Sequence, residues 1–194
     1  MLRHSGTVRI ESERLLLRRF LLQDTQAVYN GWTSDSRSSL FMRWQPHTSA
    51  KETHAMLETW VSQYSNPAFY QWAIELKQTH ALVGTIALFT VNEQDRCGDV
   101  AYCIATEHWS RGYASEALSA VLYFAFSREN YNRVEAYHAV ENPASGRVME
   151  KAGMVCEGVA REKYRSNRGF EDCRMYAAVR RDILKLYAEY AEVN

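Results

Sequence analysis

The chain lacks every familiar metal spacing. Its four cysteines, Cys97, Cys103, Cys156 and Cys173, form no C-x-x-C pair, and no H-E-x-x-H occurs among the six histidines, so no metal is expected. Long apolar runs are missing as well. Nothing approaches the roughly 18 residues of a membrane-spanning helix, and the opening Met1-Leu2-Arg3-His4-Ser5-Gly6 has no secretory apolar core. Those two absences and the thiols predict a cytoplasmic protein with no membrane partner. Charge of one sign is also absent, since 23 Lys and Arg balance 23 Asp and Glu. That balance argues against nucleic acid as a partner, because affinity for a phosphate backbone comes from clustered cations. Only 3 prolines and 9 glycines occur, too few for a linker-rich or collagen-like chain. The G-x-G-x-x-G and G-x-x-x-x-G-K-[ST] patterns are missing, which disfavours NAD and ATP.

What is present is a foldable core. The 194 residues are 46% hydrophobic, enough to bury about 70% of the unfolded surface without a staple. One domain over 1–194 is expected. Arg14 to Arg19 reads as a strand, and Asp24 reads as the N-cap of a helix carrying Ala27, Val28 and Trp32. Gly31 to Thr48 reads as a loop. Ser49-Ala50-Lys51-Glu52 has the capping-box pattern ahead of an apolar stripe at Met56, Leu57, Trp60, Val61 and Tyr64. The period then becomes 2. Trp72–Leu76, Leu82–Val91 and Asp99–Ile104 read as an antiparallel meander.

From Gly112 the period is helical again, with Ala114, Ala117, Leu118, Val121, Leu122 and Ala125 on one face. Arg133–Val140 reads as a strand, so the segment from Asp99 to Val140 is a βαβ unit with two parallel neighbours. Asn142-Pro143 opens a short helix that Gly153 ends. Strands Met154–Ala160 and Cys173–Val179 follow around a turn at Ser166–Gly169, and a helix starts near Arg180. The expected class is α+β: a mixed, mostly antiparallel sheet with helices on both faces.

Chemistry concentrates where the strand ending at Ile104 gives way to the helix after Gly112. The first turn of a helix offers unpaired N–H groups and a positive dipole end, and small residues there make an anion seat. Gly112 permits close backbone approach, Ala114 and Ser115 add no bulk, and Arg111 supplies a charge. A pyrophosphate suits such a seat.

Trp109-Ser110-Arg111-Gly112-Tyr113-Ala114 resembles the pyrophosphate loop of the GNAT acyltransferases, whose pattern is Q/R-x-x-G-x-G/A. Trp109 stands where Gln or Arg is more common, a variant similar to the RimJ/RimL-type branch. Four further segments resemble the family in the same order: Glu13–Arg18, Asp99–Ile104, Glu141–Ser145 with Glu150–Met154, and Gly169–Ala177. The resemblance spans about residues 10–184. It implies a GNAT-like fold in which the parallel strand pair splays apart, and direct acetyl transfer from acetyl-CoA to a primary amine. The acceptor it implies is a protein N-terminus, such as that of a ribosomal protein, or a small amine. A homodimer is compatible with it.

Residue by residue, the resemblance implies that backbone groups near Cys103, Ile104 and Ala105 receive the pantetheine arm. It implies that Trp109, Ser110, Arg111, Gly112, Tyr113, Ala114 and Ser115 form the pyrophosphate loop, and that Asn142 touches the cofactor arm. Ser145 is the candidate hydrogen-bond donor to the leaving thiolate, although a serine in a first helical turn is also ordinary helix-start chemistry. Asp99 and Glu162 are candidate bases beside the alternatives of solvated charge and water-mediated deprotonation. Trp32 and Trp44 fall where the family's acceptor groove lies, and core packing is the other reading. Trp109 and Tyr113 also suit packing at the loop's flank, His138 suits the core or sheet, and Cys103 needs no covalent role. Arg147 and Lys151 read as a solvated face. The competing functions are a non-catalytic acyl-CoA sensor on the same fold and a nucleotide-binding enzyme of another kind.

Overall fold

A computed structural model describes residues 1–185. The period-2 segments become strands β1 (Ile10–Glu11), β2 (Leu15–Arg18), β3 (Tyr70–Leu76), β4 (Leu82–Asn92), β5 (Cys97–Ile104), β6 (Arg133–Ala139), β7 (Val155–Ser166) and β8 (Gly169–Val179). Helices α1 (Thr25–Val28), α2 (Ser36–Ser39), α3 (Ala50–Gln63), α4 (Tyr113–Ser127) and α5 (Pro143–Lys151) fall between them. Residues 180–185 are helical, which matches the start expected near Arg180; the remainder of the expected helix falls outside the described residues. The strands form one sheet in the order β1-β2-β3-β4-β5-β6-β8-β7. Every neighbouring pair is antiparallel except β5 and β6. The predicted class therefore holds, and so does the meander of β3, β4 and β5. Among the described residues no helix is long and apolar enough to cross a membrane.

The sheet is covered on both faces. On one, α4 buries the predicted Ala117, Leu118, Val121, Leu122 and Ala125 and also Phe124 and Phe126. They pack with Trp72, Ile86, Val100 and Val134 of the sheet. At about 1.5–3 kcal/mol for each large apolar side chain taken from water, this helix anchors the domain. On the other face Phe20, Val28, Trp32 and Leu57 pack against Ala73, Cys103 and Ala105. Gly84 makes the β4–β5 contact possible, because a Cβ there would stand 2.2 Å from the Cys103 carbonyl oxygen.

Local expectations needed correcting at several places. The first strand is β2 alone, preceded by β1, which the sequence pattern did not reveal. Asp24 makes no side-chain cap to α1. Its carboxylate instead accepts from the Leu21 N–H at 2.8 Å and from Arg18 at 2.8 and 2.9 Å, a stronger set than one cap bond. The segment after Gly31 is partly helical, with a wide turn over Tyr29–Thr33 and then α2. The capping box expected before α3 does not close: Ser49 makes no cap bond, and Glu52 accepts instead from the Thr48 N–H at 3.2 Å. The closing strands β7 and β8 run longer than predicted and meet at the expected turn.

Candidate active site

The parallel pair holds together over only three residues. Cys97–Asp99 face Arg133–Glu135, and then β5 and β6 part. Strand alternation decides which backbone groups look into the gap. The Arg96 carbonyl accepts from Asn132 and Arg133 on the β6 side, whereas the Ala105 N–H donates to Val83 of β4 at 2.9 Å. Even-numbered residues of β5 therefore face the gap and odd-numbered ones face β4. This corrects the expectation for Cys103 and Ala105, whose backbones point away from it. The Ile104 carbonyl does point in, but it accepts the Trp109 indole N–H at 2.7 Å. What the gap offers is the backbone of Tyr102 and the Ile104 N–H. Sequence reasoning missed Tyr102, although the parity of β5 carried the signal.

The same alternation sorts the side chains. Val100, Tyr102 and Ile104 lie on the α4 face, while Asp99 shares the opposite face with Cys103. Tyr102 reaches the first turn of α5, with its hydroxyl 2.8 Å from Ser145 Oγ and 3.0 Å from the Ser145 carbonyl. Burial pushes the Tyr102 phenol well above its usual range, while the Ser145 bond opposes the rise. Tyr102 is thus a neutral donor. Level with it on β6, His138 seats the neighbouring residue of α5, because a Cβ on Gly146 would stand 2.6 Å from His138 Nε2. His138 is buried and donates from Nδ1 to the Ala139 carbonyl at 2.7 Å, so Nε2 carries the lone pair and has no hydrogen-bond partner. Burial lowers its pKa, and the ring stays neutral. The expectation of a satisfied core histidine holds for one nitrogen only. Asn142 occupies the N-cap position of α5 with Pro143 behind it, yet its side chain makes no cap bond. Arg147 and Lys151 are exposed, as expected.

At the start of α4, Gly112 is the N-cap residue with φ 80° and makes no side-chain cap, and Ser110 also has positive φ, 60°. The first intrahelical bond runs from the Glu116 N–H to the Gly112 carbonyl at 3.1 Å, which leaves the N–H groups of Tyr113, Ala114 and Ser115 without a helical partner. The Arg111 guanidinium is exposed and makes no hydrogen bond or ion pair among the described residues. A carboxylate in this turn would repel an anion, and Glu116 is one. Arg14 matches it, donating from its backbone N–H and from Nε at 2.7 Å each. Burial opposes ionisation of Glu116, and Arg14 with Ser12 outweighs it, so the pKa is lowered. Arg14 also bonds the Arg111 carbonyl at 3.1 Å and lies 4.9 Å over the Tyr113 ring. Tyr113 and Trp109 therefore shape the loop from its flanks. The turn is open, small and net positive.

The opposite face of the gap is acidic at its base. Asp99 and Glu135 are register partners, and Arg133 donates to Glu135 at 2.7 Å. Burial, and next the Glu135 charge, push the Asp99 carboxyl up to about 6. The Val100 N–H, Lys163 and Arg43 pull it the other way. Glu162 does not join this group. It sits exposed on the outer strand β7, with φ 47°, and its backbone N–H donates to Asp172 at 2.8 Å. Trp32 is 1% exposed within the second core, so it offers an acceptor no surface, contrary to expectation. Trp44 is half-buried in the segment that follows α2, and its carbonyl accepts from Asn167 of the β7–β8 turn at 2.7 Å. Cys103 is buried and its thiol is pushed up to about 12, first by burial and then by Asp35. That favours packing over nucleophilic chemistry. No group of three or more His, Cys, Asp or Glu among the described residues is arranged to hold a metal.

A cleft of about 300 Å³ lined by His4, Tyr70, Leu88 and Glu93 lies elsewhere. Its polar groups already pair with one another, His4 with Tyr70 at 2.9 Å and with Glu93 at 3.1 Å.

Comparison with known proteins adds independent findings. The family model described as "Acetyltransferase (GNAT) domain" matches residues 14–155. "Uncharacterized N-acetyltransferase YoaA" of Bacillus subtilis is 30% identical over 171 residues, covering 88% of this chain and 96% of that protein. A Bacillus anthracis GNAT-family acetyltransferase structure superposes with a TM-score of 0.79 at 26% identity, covering 90% of this chain and 99% of that one. The spermidine N-acetyltransferase of Vibrio cholerae, in complex with CoA and spermine, shares the fold with a TM-score of 0.75 at 23% identity, covering 89% and 99%.

Proposed function

The chain belongs to the GNAT acetyltransferase family and is an N-acetyltransferase. On that premise we propose that it transfers the acetyl group of acetyl-CoA directly to a primary amine, in the manner of the RimJ/RimL-like branch. The observation that carries the reading is the gap between β5 and β6, flanked by a helix N-terminus whose first N–H groups have no helical partner and by polar groups on opposite faces. The fit to the donor is chemical. The N–H groups of Tyr113, Ala114 and Ser115 with Arg111 suit a pyrophosphate, and the backbone of Tyr102 with the Ile104 N–H suits an amide-bearing arm in place of a missing strand. We assign Asn142, whose side chain makes no cap bond at the start of α5, to the same arm.

Bound acetyl-CoA supplies an activated thioester, and the chain's residues do the rest. Asp99 takes the proton that the amine loses as its nitrogen bonds to the acetyl carbon, and a carboxyl titrating near 6 is ionised for this at neutral pH. The Tyr102 hydroxyl donates to the Ser145 carbonyl and stands 2.8 Å from Ser145 Oγ, which holds that serine where its hydroxyl meets the sulfur released as the C–S bond breaks. Between the two carboxylates considered, exposure on the outer strand leaves Glu162 a poor base. The acceptor classes consistent with the reading are a protein N-terminus and a small amine.

Calorimetry with acetyl-CoA, followed by thiol detection of released CoA across peptides, polyamines and aminoglycosides, tests this. Binding with amine-dependent CoA release is the expected result. Folded protein that binds no acetyl-CoA overturns it.

A further inference from the structure

Next to Asp99 stand two cations that the protein leaves without a carboxylate. Arg43 donates from Nη2 to the Tyr137 hydroxyl at 3.1 Å, and its guanidinium lies 4.9 Å over the Tyr164 ring. The Lys163 ammonium lies 5.6 Å over the Tyr137 ring, and the two rings are 5.5 Å apart. Neither cation forms an ion pair among the described residues, although the charge of each pulls the Asp99 pKa down against the effect of burial. Aromatic faces hold them in place without neutralising them.

The backbone is shaped to bring them there. The β7–β8 register shifts between Ala160 and Tyr164, with Glu162 at φ 47° inside the shift. A bulge of this kind re-aims a side chain, and here Lys163 reaches Tyr137 of β6 across β8. Arg43 arrives from the segment clamped to the β7–β8 turn, where the Asn167 N–H bonds the Met42 carbonyl at 3.1 Å and the Tyr164 hydroxyl bonds the Phe41 carbonyl at 2.7 Å. Two segments far apart in sequence thus deliver one positive charge each to the same aromatic pair, beside the proposed base.

We infer that Arg43 and Lys163 form an anion-reading subsite, and that the acceptor is an amine whose own molecule carries a carboxylate near the reacting nitrogen. The inference rests on the acetyl-transfer reading above and narrows its acceptor. The chemistry is self-consistent. The amine must be neutral to attack, and two fixed cations disfavour its ammonium form while they attract a carboxylate. A polyamine brings further positive charge to this corner and is disfavoured. The carboxylate is either the α-carboxylate of a free amino acid or an acidic side chain next to a peptide N-terminus.

Matched acceptors test the inference at saturating acetyl-CoA: a free amino acid against its amide, an amidated Ala-Glu against Ala-Gln, and spermidine. The carboxylate-bearing member of a pair should show kcat/KM higher on the order of tenfold, by charge-assisted pairing. That advantage should shrink as salt is raised. In the Arg43→Gln/Lys163→Met protein the ratio within each pair should fall toward one, with thermal melting as the folding control. Which pair discriminates identifies the source of the carboxylate. Equal or better turnover of the amides or of spermidine by the wild-type protein overturns the inference, even if the variant does not fold. Turnover of none of the carboxylate-bearing amines while acetyl-CoA still binds overturns it too. Failure to bind acetyl-CoA overturns instead the reading on which it rests.

Discussion

Replacing Asp99 by Asn should raise stability and lower activity, and the two effects should depend on pH in different ways. The wild-type carboxyl titrates near 6 in the fold, against 3.8 for an unperturbed group. Below about pH 4 it is neutral in both states and costs nothing. Between about 4 and 6 the unfolded chain releases the proton while the folded protein retains it, so stability falls as pH rises. Above 6 the penalty is constant. At about 1.4 kcal/mol per tenfold change in proton affinity the penalty is about 3 kcal/mol. Asparagine keeps the shape and removes the charge. It also weakens the contact with the Val100 N–H and leaves Arg43 and Lys163 less balanced, so a gain of about 1–2 kcal/mol is expected at pH 7.5.

Urea melts of both proteins at pH 4 and pH 7.5 measure this, and the stability difference should be near zero at the lower pH. Activity runs the opposite way. The wild-type kcat/KM should rise through pH 6 as Asp99 ionises. The variant should lose that limb and on the order of a hundredfold in rate. A variant that is no more stable at pH 7.5 and keeps kcat/KM within threefold would refute both the burial argument and the base.

Ser145→Ala should lower kcat by about tenfold or more with little change in KM for acetyl-CoA, and Tyr102→Phe by about two- to tenfold, the worth of one neutral hydrogen bond. Because the tyrosine acts through the serine, the double variant should be no worse than Ser145→Ala in steady-state assays; additive losses would separate them. Gly112→Val forces a β-branched residue to φ 80° and should cost about 1–2 kcal/mol in a thermal melt. Its loss of acetyl-CoA affinity by calorimetry should exceed that cost, and equal losses would remove the anion seat. Gly84→Ala puts a Cβ 2.2 Å from the Cys103 carbonyl oxygen, where only backbone movement can relieve the clash. A destabilisation of about 3 kcal/mol or more is expected in denaturant melts, and a wild-type midpoint would contradict the β4–β5 packing.

Local pattern carried most of the fold. Apolar period located α3 and α4, alternation located β3, β5 and β6, an apolar run located β4, and single residues with one dominant use, Gly112, Pro143 and Gly153, fixed the helix ends nearest the candidate site. Errors arose where one residue type serves two purposes. Asp24 is a fair N-cap in isolation, but the guanidinium of Arg18 takes its carboxylate. Trp32 suits a groove or a core, and only the closing of α1 and α3 over the sheet decides for the core. The site itself was legible in its loop, because the loop is contiguous in sequence. It was not legible in Tyr102 with Ser145, 43 residues apart, or in Arg43 with Lys163, since no local pattern says which distant side chains will meet.

The parity of β5 also places the polar groups that flank the gap. Once β6 leaves β5 after Asp99, the strand has an even-numbered set of backbone groups without a ladder partner and side chains that still alternate between faces. A sheet tolerates such unpaired groups only if water or a ligand completes them, and a ligand lying in the gap has one face toward Tyr102 and Ser145 and the other toward Asp99. Placing the proposed base and the Tyr102–Ser145 pair on opposite faces keeps the two apart, although Asp99 and Tyr102 are only three residues apart along one strand. On the proposed mechanism the interruption of the sheet lets one strand carry the base on one face and the tyrosine that positions Ser145 on the other, and a continuous ladder from Cys97 to Ile104 would close the gap.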